Sequence, residues 1–154
     1  PMKVPRRRSI PARIELALTL PGTWPIGPGS VDADQGWPLR ELMQAAGIPH
    51  ETRRWMGLGH LVGRFPPSPF ADGTELSGWV LTPPTHLPPA FHRLDEGGPG
   101  VAFFSLVAVH HDEVEFSIYR RPEELVERLA ARGVPPVLDL RRPSTLEERG
   151  PEAR

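Results

Sequence analysis

The sequence has no cysteine in its 154 residues, which excludes a disulfide framework, a cysteine nucleophile and a thiolate metal site together. Lysine is nearly absent too, Lys3 being the only one among 18 basic residues. These face 19 acidic residues for a formal net charge of −1, so no global field draws a nucleic-acid backbone or an anionic membrane surface. No apolar run approaches the roughly 18–20 residues of a membrane-spanning helix, and the N-terminus lacks a signal peptide's apolar core. Those two absences predict a cytoplasmic protein.

What is abundant is proline, 21 residues, with 15 glycines. This bias, with arginine in place of lysine, matches a GC-rich coding genome, so the prolines are read as punctuation rather than as disorder. Hydrophobic residues at 38% and charged residues at 24% are enough to build a core. The length fits one domain at about 100–200 residues per domain. Pro1 ahead of Met2 marks either a cloning remnant or a fragment of a longer chain.

Residues 1–11, with Lys3, Arg6, Arg7 and Arg8 among prolines, predict a flexible basic leader. No aromatic residue lies among its arginines to stack on bases, so it is read as a solvated tail. From Arg13 to Leu20, strict alternation predicts a half-buried strand. Trp37-Pro38 opens a helix near 38–46, for which Gly47 and Pro49 supply the stop. Between 50 and 75 only a short strand near Leu58–Val62 is expected. Leu76–Thr82 predicts a buried strand. Val101–Val109, apolar except at Ser105, predicts a central strand covered on both faces. Residues 112–120 alternate like a strand, yet Asp112 and Glu115 are spaced like a capping box. Arg121-Pro122 opens a helix near 122–132 whose first-turn Glu123 and Glu124 suit the positive helix end. Val137–Leu140 predicts a short edge strand, and residues 144–154 a flexible polar tail.

The ordered fragments Arg13-Ile14-Glu15-Leu16, Trp37-Pro38-Leu39, Trp55…Gly59-His60, Leu76 to Pro84, Val101 to Val107, Asp112 to Phe116 and Asp139…Arg142 resemble the suppressor of fused (SUFU) domain family. The resemblance runs from about residue 12 to residue 143 and implies a single α/β (α+β) domain, a mixed and mainly antiparallel sheet flanked by helices. It also implies a helix at 112–120, and a function in protein binding without a catalytic centre. The animal namesake binds and restrains Gli-type transcription factors, whereas bacterial single-domain relatives resemble immunity proteins that neutralise polymorphic toxins. The animal protein continues into a second domain and grips its peptide with both, so its contact residues are not transferred. The expected partner is therefore a protein, either a toxin or a regulatory protein.

The individual constellations give little chemistry. Gly57…Gly63 has its third glycine one place late for a dinucleotide fingerprint, and neither a strand before it nor a helix after it frames the segment. His110 and His111 offer nitrogen ligands, but neighbours at a strand end point apart, which predicts a solvated corner rather than a metal site. No G-x-S-x-G elbow is present, and no catalytic, cofactor or metal residue is assigned. The four tryptophans are core candidates, each able to place its N–H on a carbonyl. Trp55, His60, Arg64 and Phe70, in the loop-rich 50–75 segment, are the expected partner-binding patch. The alternative is a small hydrolase or ligand-binding protein with a pocket centred on His60, within about 3.2 Å of a carboxylate.

Overall fold

The computed structural model describes residues 12–63, 66–95 and 100–147; the leader expected at 1–11 lies outside them. Alternation places β1 at Arg13–Ala17, shorter than the sequence pattern, with Thr19 adding one isolated bridge to Val137. The expected edge strand at 137–140 reduces to that bridge and the Leu138 N–H donated to the Thr19 carbonyl at 2.9 Å. The remaining strands are β2 (Leu61–Gly63), β3 (Leu76–Thr82), β4 (Arg93–Leu94) and β5 (Val101–His110). They form one sheet in the order β1-β5-β3-β2, with β4 also on β5. Among these described strands β1 runs parallel to β5 and the other strand pairs are antiparallel, while the isolated Thr19–Val137 bridge is parallel.

Helix α1 spans Trp37–Thr52 and therefore runs through the expected stop at Gly47 and Pro49. Pro49 removes one helical hydrogen bond. The turn is kept because Ala45 and Ile48 pack on the core and Thr52 Oγ1 donates to the Ile48 carbonyl at 2.7 Å. The helix ends instead at Arg53, in the left-handed region at φ 56°. After β5 the chain turns directly into α2 (His111–Ile118), then α3 (Pro122–Ala131). The helical reading of 112–120 holds, but α2 starts one residue earlier and ends two residues sooner than expected.

The period-two pattern of β5 and β3 divides the interior into two layers. Leu106, Ala108, Trp79 and Leu81 share one cluster with Trp37 and Ala45 of α1, while Val107, Val109 and Val80 share the other with Leu125 and Leu129 of α3. The central strand is covered on both faces, as its apolar run implies. Gly78 permits close approach on the second face, since a Cβ there would stand 2.8 Å from Val114 Cγ2. On the first face Phe70 stacks on both Trp37 and Trp79, at centroid distances of 5.3 and 4.8 Å, the two tryptophan rings being 6.2 Å apart. Trp24 Nε1 donates to the Gln35 carbonyl at 3.1 Å, but buried Trp79 Nε1 has no hydrogen-bond partner. For Trp79 the tryptophan expectation therefore holds for burial and fails for the N–H.

Candidate functional site

The segment between α1 and β2 is irregular in sequence but fixed in space. The Gly59 N–H donates to the Leu81 carbonyl at 2.8 Å, the Leu81 N–H to the His60 carbonyl at 3.0 Å, and the His60 N–H to the Gly57 carbonyl at 3.1 Å. Gly59 has φ +75°, and a Cβ there would lie 2.7 Å from the Pro122 backbone. Glycine is thus needed both for the backbone conformation and for the approach to the start of α3. Met56, 4% exposed, anchors the segment from below. Above that anchor the Trp55 and His60 rings meet at 4.3 Å between centroids, inclined at 45°. Both residues are half-buried, and Leu58 between them is exposed.

Two of the four expected contact residues are therefore brought together. Arg64 lies outside the described residues. Phe70 does not join the patch: stacked in the core and 7% exposed, it has no face to offer a partner. The expectation for Phe70 is corrected because it packs into one aromatic cluster with Trp37 and Trp79 that buries it. His60 lines neither the cavity of about 460 Å³ between β1 and α1 nor the one of about 340 Å³ beside His110.

A second constellation, at the junction of β5 and α2, escaped sequence reasoning. Glu113 is fully buried, and its two carboxylate oxygens accept five hydrogen bonds. Oε1 accepts from Arg142 Nη1 at 3.0 Å and from the Thr145 N–H and hydroxyl, both at 2.8 Å. Oε2 accepts from the His110 N–H at 2.9 Å and from Arg142 Nη2. Arg142 also donates to the Ala108 carbonyl through Nε and Nη2, at 3.2 and 2.8 Å. Burial alone would raise the Glu113 carboxyl, but the hydrogen bond and charge of Arg142, with the Thr145 and His110 backbone N–H groups, hold it below its ordinary value.

This junction overturns two expectations. His110 is no solvated corner residue: it is 6% exposed, and its Nε2 donates to the Arg142 carbonyl at 2.8 Å. The polar tail expected at 144–154 does not begin at residue 144, because Ser144 and Thr145 are buried against Asp112 and Glu113, while residues 148–154 lie outside the described residues. The capping carboxylate is Glu113, set against the N-terminal residue His110, rather than Glu115 against Asp112. Among the described residues no three of His, Asp and Glu are grouped to hold a metal ion. Nor is any helix there long and apolar enough to cross a membrane.

Comparison with known proteins places this architecture. A SUFU homologue from Neisseria gonorrhoeae, solved by crystallography, superposes with a TM-score of 0.58 at 19% identity, over 73% of this chain and 58% of that one. The crystal structure of the Sufu–Fu complex gives a TM-score of 0.57 at 16% identity, over 71% of this chain and 45% of that one. The chain thus spans about half the length of these solved relatives, and at such identities the likeness is one of fold. No curated protein matches the chain. The family model for suppressor of fused protein (SUFU) matches residues 1–143, and on that match the chain belongs to the suppressor of fused family.

Proposed function

We propose that this chain is a protein-binding module that occludes a protein partner, as an immunity-type or regulatory protein, with a polymorphic toxin as the partner class. The family is one of protein-interaction domains, and a similar fold occurs in the Sufu–Fu complex. The observation that carries the reading is the turn at 55–60: half-buried Trp55 and His60 with exposed Leu58, held by backbone bonds to β3 and by Gly59 against Pro122. A fixed aromatic and apolar surface loses little conformational freedom on association, the condition for an interface anchor. Arg64, four positions beyond His60, is the proposed charged companion. The alternative of a hydrolase or ligand pocket at His60 is less favoured, because the ring is turned onto Trp55.

The test is capture of the tagged full chain from its native host at low and at moderate salt. A toxin-like protein retained in stoichiometric amount, and lost with Trp55→Ala, is the expected result. Retention of nothing at either salt, or undiminished retention by Trp55→Ala, overturns the reading.

A further inference from the structure

A cavity of about 340 Å³ opens between the first residues of β3 and the β5–α2 junction. Its lining includes Glu75, Ser77, His110, Asp112, Ser144 and Glu147, with Pro67 and Pro69 also contributing. Three of the lining residues are carboxylates and two are histidines, His110 and His111, and among the described lining residues none is lysine or arginine. Arg142, close by in the fold, is already engaged by Glu113 and by the Ala108 and Pro143 carbonyls.

The polar atoms here are mostly acceptors. Asp112 takes the Glu113 N–H on Oδ1 at 2.8 Å and the Ser144 hydroxyl on Oδ2 at 2.6 Å, so neutral donors hold the carboxylate without cancelling its charge. The Arg142 carbonyl can only accept, so His110 Nε2 donates to it, and His110 Nδ1 lies 3.9 Å from Glu75 Oε2. Ser77 is 2% exposed, and its hydroxyl has no hydrogen-bond partner. The β3–β5 register shifts between Leu76 and Gly78, so the irregularity falls on Ser77. Such bulges re-aim side chains, commonly beside functional sites. A buried hydroxyl left unpaired is a cost that a bound polar group would remove.

We infer that this cavity binds a guanidinium group, presented by an arginine side chain of the protein partner. Guanidinium carries five N–H donors and no acceptor, matching a lining rich in carboxylates with an unpaired hydroxyl. Its flat, weakly hydrated faces suit the flanking Pro67 and Pro69 better than a compact, strongly hydrated ammonium does. This inference rests on the protein-binding reading and names a chemical feature of that partner.

The experiment is an NMR titration of the nitrogen-15-labelled full chain with N-acetyl-arginine amide and with its neutral isostere, N-acetyl-citrulline amide. Shifts should centre on the amides of Ser77, His110, Asp112 and Ser144, with citrulline binding at least about tenfold weaker. The exposed pair Glu75→Gln/Glu147→Gln, which leaves the Glu113 network untouched, should weaken the arginine response several-fold. Shifts that are absent or scattered, equal for citrulline, or unchanged in the double variant overturn the inference. Partner capture separates the two readings. A partner held equally by the native chain and the double variant sinks the cavity assignment alone. If arginine shifts persist while no partner is ever captured, the partner as the source of the guanidinium is overturned.

Discussion

The turn at 55–60 and the junction at 110–113 both join elements, yet they are built from opposite materials. The turn is held by backbone hydrogen bonds and a glycine, which leaves Trp55, Leu58 and His60 at the surface. At the junction charged side chains are taken inward, and Glu113 and Arg142 tie the end of β5 to a segment 29 residues further on. A segment whose backbone bonds set its shape can present an exposed side chain such as Leu58 for recognition. One held by side chains uses them up in architecture, and whatever it binds must use the groups left over.

The largest effect is expected from breaking the junction. Arg142→Ala would leave the Glu113 carboxylate buried without its charge partner, a change that typically costs about 3–5 kcal/mol. It should appear as a lower denaturation midpoint at unchanged slope. A loss within about 0.5 kcal/mol, the level of ordinary surface substitutions, would show that the pair holds nothing.

Acid sharpens the same contrast. The folded Glu113 carboxyl is held below its ordinary value of 4.5, so its contribution is fully present above that value and is lost as pH falls through the lower, folded value. Native stability should fall more steeply below about pH 4.5 than that of Glu113→Gln, which carries no titrating group there. Parallel acid unfolding curves for the two chains would remove Glu113 as a source of acid sensitivity.

At the turn, Gly59→Ala meets both a positive φ and the Pro122 backbone at 2.7 Å. Strain of this kind costs about 1–3 kcal/mol. The change should also displace Trp55 and His60, so partner retention should fall together with stability. Stability that drops while retention is unchanged would separate the turn from recognition.

How much of this was legible in the sequence follows from the range of the forces involved. The apolar run Val101–Val109 and the helical spacing after Pro122 report local burial, and both elements appear where the pattern places them, β5 running one residue further to His110. The two-layer interior was likewise implied by an apolar run that needs cover on both faces. Helix α1 passing Pro49 was not legible, because Ile48 is held by tertiary packing. Phe70 was misplaced for a similar reason: a proline-rich loop gives no sign that Trp37 and Trp79 stand ready to pack against it. The Glu113–Arg142 pair spans 29 residues, and no periodicity links such positions. The available signal was Glu113 three residues after His110 at the end of an apolar strand, a capping arrangement overshadowed by Asp112 and Glu115.

The smallest effect on stability, and the most informative for function, is expected from Trp55→Ala. The ring is half-buried and meets His60 at 4.3 Å, so its removal forfeits one aromatic contact and part of its apolar burial, about 1 kcal/mol. An interface anchor behaves differently, since truncating one commonly costs 2 kcal/mol or more of binding, roughly thirtyfold in affinity. The two quantities should therefore separate in this variant: a small shift in denaturation midpoint, and a large drop in affinity measured by calorimetry against the captured partner. Arg142→Ala should show the reverse, a large stability loss with affinity kept wherever the chain remains folded. If Trp55→Ala loses stability and affinity in the same small measure, the turn is one more piece of architecture, and recognition must be sought in the acceptor-lined cavity at the other junction.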